Sequence, residues 1–254
     1  MTFRPDPGWA WFLDLDGTLI EIAETPDGIR PPSELSELLH EWHRATGGAL
    51  ALISGRPLAE LDALFPELGL PAAGQHGLER RDSTGRIFRE GAATHRLDGA
   101  RRRLREAANR HPGLRVEDKG LSLALHYRQV PHLASYAHRV VRAAQAELGG
   151  DFQVQGGKRV VEMKPAGRDK GTAVTQFMAE PPFQGRLPIF VGDDLTDEHG
   201  FAVVAQLGGR AVKVGPGRTR AHWRLPSADA VRRWLLDGSP GPRSTGHAAS
   251  RAER

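Results

Sequence analysis

The order of elements along this 254-residue chain predicts an α/β fold, a doubly wound parallel sheet interrupted by an inserted α+β unit. Three observations support this prediction. Toward both ends of the chain, short buried apolar runs alternate with amphipathic helical patterns, which requires parallel strands joined by crossover helices. The middle of the chain has the order αββαββ with short strands, which is typical of a small antiparallel sheet. The parallel pattern then returns, so the middle unit is predicted to be an insertion.

The first four elements set up the parallel sheet. Residues 9–13 form a continuous apolar run within a strand predicted over 9–15, which suits a strand that is buried on both faces. Residues 31–46 have helical spacing, with Ser33 as the predicted N-cap. A second apolar strand is expected at 49–53, followed by a helix at 57–64 with proline in its first turn.

The predicted insertion covers residues 95–166 and divides the core into residues 1–94 and 167–237. Its helices are expected at 94–109 and 132–148, and its strands at 113–117, 121–128, 152–155 and 159–163. After it, helices are expected at 169–178, 196–205 and 228–236, with strands at 187–191 and 211–214. The predicted hinges lie near Ala93 and Gly167. Residues 238–254 are rich in Gly, Ser, Pro and Arg, which predicts a disordered tail.

The composition excludes several classes of protein. The chain has no cysteine, which excludes disulfides, thiolate nucleophiles and zinc–thiolate sites. No apolar run approaches the roughly 20 residues that span a bilayer, and residues 1–8 contain no apolar signal region. We therefore expect a cytoplasmic protein with no membrane partner, and a monomer.

The basic charge does not predict a nucleic-acid partner. The formal net charge is +4 and the pI is near 9.8, but half of the excess lies in the tail from Gly238. Elsewhere the charges are interspersed, and no basic strand rich in aromatic residues is present. Only five of the 35 basic residues are lysines, at positions 119, 158, 164, 170 and 213. Each of these lysines therefore hints at a specific need for a compact charge.

Two aspartates at the end of the first strand indicate a candidate site. Asp14 and Asp16 close the apolar run, and Gly17 allows a sharp turn directly after them. Because side chains at positions i and i+2 of a strand point the same way, both carboxylates can face one pocket. A capped strand–loop junction uses the same residue types, so the pair alone leaves both interpretations open.

Further reactive side chains follow other strands of the predicted sheet. They are Ser54, Arg56, Lys170, Asp193, Asp194 and Asp197. In open parallel sheets, ligands bind beyond the carboxyl ends of the strands. Acid clusters on separate strands suit Mg²⁺, which takes one or two carboxylates plus phosphate, while a hydroxyl with Lys and Arg suits the phosphate itself. The set predicts phosphoryl transfer, in which an aspartate can be the nucleophile.

These motifs resemble those of the haloacid dehalogenase superfamily of phosphatases. The shared motifs are Asp14-Leu-Asp-Gly-Thr-Leu19, Ser54, Lys170 and Gly192-Asp-Asp194, in the usual order. Strings that begin at Gly74, Glu117 and Glu162 narrow the resemblance to the trehalose-6-phosphate phosphatase family: Gly-Gln-His-Gly-Leu-Glu, Glu-Asp-Lys-Gly-Leu-Ser and Glu-Met-Lys-Pro-Ala-Gly. The resemblance runs from about residue 9 to residue 236. It implies a Rossmann-like core of the haloacid dehalogenase type, with the insertion as a substrate-specificity cap.

The resemblance also implies an activity, the Mg²⁺-dependent hydrolysis of trehalose 6-phosphate, the last step of trehalose biosynthesis. Asp14 would form an aspartyl phosphate, and Asp16 would protonate the leaving oxygen and then deprotonate water. Ser54 and Lys170 would hold phosphate oxygens. Gly55 and Arg56 would also bind the phosphate, although Arg56 could instead be a salt-bridge partner of an acid.

The implied metal ligands are the Asp14 carboxylate, the Asp16 main-chain carbonyl and Asp193, with Asp194 orienting the groups around the metal. Asp197 is either a fifth functional acid or a helix-start cap.

The implied sugar contacts come from a core loop and from the cap. They are His76, Glu79, Lys119, Arg128 and Glu162. Arg128 and the nearby His126 could equally lie on a solvated strand face. Glu162 could instead form a cross-strand ion pair with Lys158 or Arg159.

Two other functional interpretations stay open on the sequence alone. One is a related capped phosphatase or mutase for another sugar phosphate, such as sucrose phosphate, mannosylglycerate phosphate or a hexose phosphate. The other is a non-catalytic sugar-phosphate sensor on the same fold. The intact Asp14, Lys170 and Asp193 argue against a sensor, because a protein that only binds needs no nucleophile.

Overall fold

The computed structural model describes residues 4–22, 31–89 and 94–238. The strands are β1 (Ala10–Leu13), β2 (Leu50–Ile53), β3 (Ala72–Gly74), β4 (Glu79–Arg81), β5 (Ile87–Arg89), β6 (Arg115–Asp118), β7 (Leu123–His126), β8 (Phe152–Gly157), β9 (Val160–Pro165), β10 (Pro188–Gly192), β11 (Arg210–Val214) and β12 (Trp223–Leu225). The helices are α1 (Ser33–Ala45), α2 (Leu58–Leu64), α3 (Asp98–Arg110), α4 (Ala134–Leu148), α5 (Lys170–Met178), α6 (Asp197–Gln206) and α7 (Ala228–Gly238). The hinge predicted near Ala93 and the tail beyond Gly238 lie outside the described residues.

The larger of two sheets has eight strands in the order β12-β11-β10-β1-β2-β3-β4-β5. Strands β12 to β3 are parallel, and β4 and β5 extend the sheet as an antiparallel hairpin. The predicted parallel α/β core is therefore confirmed. Because β1 lies at the centre, its carboxyl end and that of β10 meet at one edge, as the doubly wound topology requires.

The hairpin β4–β5 and the short strand β3 were not predicted. Their sequences, such as Ala-Ala-Gly in β3 and Glu-Arg-Arg in β4, lack the apolar run or alternation that marks a strand. The N-cap prediction at Ser33 was wrong, because Ser33 is already the first helical residue and Pro32 occupies the cap position. Proline fixes its own φ and so favours the start of a helix without a side-chain cap.

Helices cover both faces of the large sheet. Trp11 and Leu13 of β1 point to one face, where they meet α1, α2 and α7 in an apolar cluster that includes Trp42. Phe12 points to the opposite face and packs with Phe177 and Phe183 near α5 and α6. This alternation along a fully buried strand fixes the register of β1 against its neighbours and hence the position of Asp14.

The second sheet is antiparallel, with strand order β6-β7-β9-β8, and α3 and α4 pack on one of its faces. The element order α3-β6-β7-α4-β8-β9 matches the predicted αββαββ unit. The other face of this sheet turns toward the carboxyl edge of the large sheet, where the two enclose a cavity. The proposed boundaries of two domains at 94/95 and 166/167 stay a prediction. In the described residues, no helix is long and apolar enough to cross a membrane.

Candidate active site

Asp14 lies directly after β1, at the floor of the cavity between the two sheets. Its backbone N–H donates to Val191 O at 3.0 Å, which continues the pairing of β1 with β10. The carboxylate is 4% exposed and accepts from Lys170 Nζ at 2.7 Å and from Thr18 Oγ1 at 2.9 Å. Burial and the nearby carboxylate of Asp197 raise the pKa of Asp14, while Lys170 opposes this rise. Asp14 and Asp16 both line the cavity, as the i, i+2 spacing predicted.

The buried Lys170 joins two acids from different parts of the chain. It is the first residue of α5, whose start is fixed by Asp169 through a capping box with Thr172. Its ammonium donates to Asp14 Oδ1 and to Asp197 Oδ1, both at 2.7 Å. Burial by itself lowers the pKa of Lys170, but the two carboxylates reverse this and raise it above its ordinary value. A buried, permanently charged ammonium beside Asp14 suits a site that must hold a phosphate dianion.

Asp197 organises the acidic loop rather than lining the cavity. It is fully buried, and its Oδ2 accepts from the backbone N–H groups of Asp193 at 2.9 Å and of Asp194 at 2.8 Å. Its other oxygen accepts from Lys170. Asp197 is the first residue of α6 and Thr196 occupies the cap position, so the alternative of a helix-start cap was wrong. The role of Asp197 as a functional acid stays a prediction.

A hard cation fits the carboxylates beside this loop. Oxygen atoms of Asp14, Asp193 and Asp197 lie within 4.8 Å of one another. Gly17 has a φ of 85°, and a Cβ on it would lie 2.1 Å from Asp193 Oδ2. The two loops therefore touch only because residue 17 is glycine. An oxygen-only donor set of this kind could hold Mg²⁺.

Arg56 is engaged by an acid, which was one of its two predicted roles. Its guanidinium donates to both oxygens of Asp16, at 2.7 and 2.9 Å, and to Glu60 Oε2 at 3.0 Å. Ser54, 1% exposed, follows β2, and its Oγ accepts from Arg56 N at 3.1 Å. Gly55 and Arg56 line the cavity, whereas Ser54 lies just behind it.

His76 and Gln75 hold a strained turn after β3. Both have left-handed backbones, with φ of 57° and 47°, a conformation that costs a residue with a Cβ on the order of 1–3 kcal/mol. The turn brings the His76 ring over Gly55, where a Cβ would lie 2.8 Å from Cε1. His76 Nε2 lies 3.2 Å from Glu162 Oε2, and burial lowers the pKa of the imidazole.

The second sheet contributes an ion-paired cluster around Glu162 on β9. Its carboxylate accepts from Ser122 Oγ at 2.6 Å and lies 3.5 Å from Lys119 Nζ. Burial would raise the pKa of Glu162, but Lys119 and His76 hold it well below its usual range. Lys119 also donates to Gly55 O at 3.0 Å. The alternative of a Glu162 ion pair with Lys158 or Arg159 was therefore wrong, because the side chain turns toward the core.

Of the remaining residues predicted to contact the sugar, some line the cavity and others lie behind its wall. Arg128 lines the cavity, as does His126, which shares a 2.6 Å hydrogen bond with Glu117. Glu79 does not line it: its carboxylate lies inside the core and accepts from Leu58 N and Gln75 Nε2, with Arg89 at 3.2 Å. Glu162 likewise lies beneath the lining, one layer behind Lys119 and His76.

Sequence reasoning missed five charged residues near the site. They are Glu60, Arg115, Glu117, Lys158 and Lys213. Glu117 could have been found from the family string Glu-Asp-Lys-Gly-Leu-Ser, which it begins. The scarcity of lysine was a signal for Lys158 and Lys213. Lys158 reaches Asp193 from the β8–β9 turn, and buried Lys213 donates to Asp193 O at 2.6 Å.

The cavity has a volume of about 370 Å³, within the range of small-molecule sites. A carboxylate nucleophile, a buried lysine and an acidic loop thus meet at the carboxyl edge of a parallel sheet, beneath a second sheet. Fold and site together define a phosphatase of the haloacid dehalogenase class.

Comparisons with known proteins identify the family within this class to which the chain belongs. The family model for trehalose-phosphatase matches residues 12–228. The trehalose-6-phosphate phosphatase of Escherichia coli is 46% identical over 235 residues, covering 89% of this chain and 85% of that protein. A probable trehalose-phosphate phosphatase of Sinorhizobium fredii is 42% identical, covering 88% and 85% of the two chains. The chain belongs to the trehalose-phosphatase family.

A solved structure supports the fold independently. The C-terminal domain of a C. albicans trehalose-6-phosphate phosphatase superposes with a TM-score of 0.80 at 22% identity, covering 90% of this chain and 91% of that one. At this identity the likeness concerns the fold alone.

Proposed function

We propose that this enzyme hydrolyses trehalose 6-phosphate to trehalose and inorganic phosphate in the cavity between the two sheets. The observation that carries the proposal is the Asp14 carboxylate at the cavity floor, held by Lys170 and within 4.8 Å of the Asp193 carboxylate. The 46% identity to the Escherichia coli phosphatase supports the choice of sugar. We also propose that residues 95–166 act as the cap that selects the substrate.

The chemistry proceeds in two displacements at phosphorus. In the first, an oxygen of Asp14 bonds to phosphorus while the bond to the sugar oxygen breaks, and Asp16 gives that oxygen a proton. In the second, water attacks phosphorus and gives its proton to Asp16, and the bond to Asp14 breaks. Lys170 favours the ionised form of Asp14 for the first step and stabilises charge on the phosphoryl oxygens.

We propose that Asp14, the Asp16 carbonyl and Asp193 would hold Mg²⁺, with Asp194 and Asp197 fixing their orientation. When bound, this ion supplies positive charge that polarises the phosphoryl group. Asp16 must leave the Arg56 guanidinium before it can give a proton to the sugar oxygen, because both of its carboxylate oxygens accept hydrogen bonds from Arg56. The ion pair between Asp16 and Arg56 therefore belongs to the enzyme before the reaction begins.

Sugar selection is assigned to the part of the cavity that β6, β7 and the loop after β3 enclose. Lys119 and Arg128 donate hydrogen bonds there, Glu117 accepts them, and His76 supplies a ring edge. Glu162 acts by fixing Lys119 and His76 rather than by direct contact in this arrangement. Glu79 is proposed to support the loop through Gln75. The monomeric state, cytoplasmic location and lack of a nucleic-acid partner remain predictions of the sequence.

The test is phosphate release from a panel of sugar phosphates, with and without Mg²⁺. We expect trehalose 6-phosphate to be hydrolysed fastest, and only with the metal. Preference for sucrose phosphate or a hexose phosphate would reject the substrate while leaving the class intact. Replacing Asp14 by Asn should abolish turnover, and Asp62→Asn, an exposed change on α2, should not. Turnover by the Asp14 variant above background would reject the covalent mechanism.

A further inference from the structure

Lys158 is a charged residue of the cavity to which neither the family motifs nor the proposed mechanism gives a task. It lies in the two-residue turn between β8 and β9, closed by the Gly157–Val160 pair. Its side chain is 48% exposed, yet its ammonium bonds to the buried carboxylate of Asp193, which directly follows β10 of the large sheet. Within the described part of the chain, this carboxylate is the only side-chain partner of the Lys158 ammonium.

The turn is shaped for this contact. Arg159 has a φ of 65°, a left-handed conformation that is costly for a residue with a Cβ. A Cβ on Gly157 would lie 3.6 Å from Asp194 Oδ2, so the tip of the hairpin packs against the acidic loop. Arg128 Nη2 also donates to Lys158 O at 3.4 Å, which ties the turn to β7. The hairpin thus carries an ammonium from the second sheet into the acidic corner of the core.

The other cations of the cavity floor already have partners that the proposed reaction preserves or needs. Lys170 is bonded to Asp14 and Asp197, and Lys119 to Gly55 O and the Glu162 cluster. Lys158 differs because its partner, Asp193, is the acid proposed to bind Mg²⁺. A divalent ion on Asp193 removes the charge that attracts Lys158. The strongest anion then left near the ammonium is the phosphoryl group of the substrate.

We propose that Lys158 is a phosphate ligand supplied by the second sheet, held on Asp193 until metal binds there and then transferred to the phosphoryl group. This inference rests on the proposed function, because it uses its metal and phosphate. The single side chain would link three events: metal binding, substrate binding and closure of the second sheet over the core. A lysine suits this exchange better than arginine, because its compact, rotatable charge can change partners without a matching planar fork.

The proposal predicts effects of opposite sign on two ligands. In Lys158→Met the competitor for Asp193 is gone, so Mg²⁺ should bind several-fold more tightly. Inorganic phosphate, measured at saturating Mg²⁺, should bind about tenfold more weakly, since a charge-assisted hydrogen bond is lost. Lys158→Arg should lie between wild type and Lys158→Met for both ligands. Isothermal titration calorimetry reports both constants without turnover.

The control is Arg110→Met, which removes an exposed cation from α3 far from the cavity and should change neither constant. If Lys158 only braces the two sheets, Lys158→Met will weaken both ligands together, and the proposal is overturned. Unchanged constants overturn it as well, while leaving the proposed function standing. If wild-type protein binds neither Mg²⁺ nor phosphate, the proposed function fails too, so the two failures are distinguishable.

Discussion

Replacing Asp197 by Asn tests whether this buried acid organises the active site. Asp197 is fully buried and accepts three short hydrogen bonds, from Lys170 at 2.7 Å and from the N–H groups of Asp193 and Asp194 at 2.9 and 2.8 Å. An asparagine has one acceptor oxygen, so its NH₂ must face either the ammonium or the two N–H groups. At least one buried donor is then left without a partner, whichever way the amide turns.

The expected loss of unfolding free energy in the Asp197→Asn variant can be worked out from these contacts. Leaving a buried donor unsatisfied costs about 1–3 kcal/mol, and removing one partner of a buried ion pair costs about 3–5 kcal/mol. Because Lys170 keeps Asp14 as a second partner, we expect the free energy of unfolding to fall by about 3 kcal/mol. Urea denaturation at pH 7 measures this loss. Hydrogen exchange should also become faster at the amides of Asp193 and Asp194.

The matched control is Asp229→Asn, which removes an exposed carboxylate from the first turn of α7. Asp229 pairs with Arg233 at 2.7 Å on the surface, and such pairs contribute less than about 1 kcal/mol. A loss at position 197 no larger than that of the control, with unchanged amide exchange, would refute the organising role of Asp197.

Two further predictions follow from named contacts. Gly17→Ala should weaken Mg²⁺ binding at least tenfold, because the added Cβ would meet Asp193. The control Gly85→Ala has the same φ of 85° but no atom within 4 Å of the added Cβ, so it should leave the Mg²⁺ affinity unchanged. Calorimetric titration of both variants with Mg²⁺ separates the effect of the contact from that of backbone strain. Burial lowers the pKa of Lys164 to about 8 from an ordinary 10.5, so between these values the unfolded chain holds a proton that the folded chain has lost. The free energy of unfolding should therefore rise with pH across this window, by up to about 3 kcal/mol, and urea denaturation of Lys164→Met should lack that rise.

The sequence was sufficient for the four central strands β1, β2, β10 and β11, because their signals are local. Buried runs such as residues 10–13 and 188–192 are typical of central parallel strands, and the rule that ligands bind at their carboxyl ends brings Asp14 and Asp193 together. Lys170 was grouped with these acids as a reactive side chain near the same edge, and in the structure it begins α5. Each of these residues lies at the end of a regular element, where backbone geometry decides its direction.

What the sequence did not show depends on contacts between distant segments. Nothing near Lys158 indicates that its hairpin meets Asp193, because that contact requires the placement of one sheet over the other. Glu79 has the composition of a ligand, yet its burial among Leu58, Gln75 and Arg89 makes it a support of the loop. Charged side chains on short strands carry no periodic signal that tells a lining residue from a buried one.

The consecutive left-handed residues Gln75 and His76 set a limit on engineering this enzyme for heat resistance. A selection for stability alone would favour glycine or asparagine here, since both tolerate that backbone region more readily than glutamine or histidine. Those substitutions would remove the imidazole beside Glu162 or the amide that steadies Glu79. Thermostable variants should therefore be sought by holding these two positions fixed and mutating the surface of α3 and α4 instead.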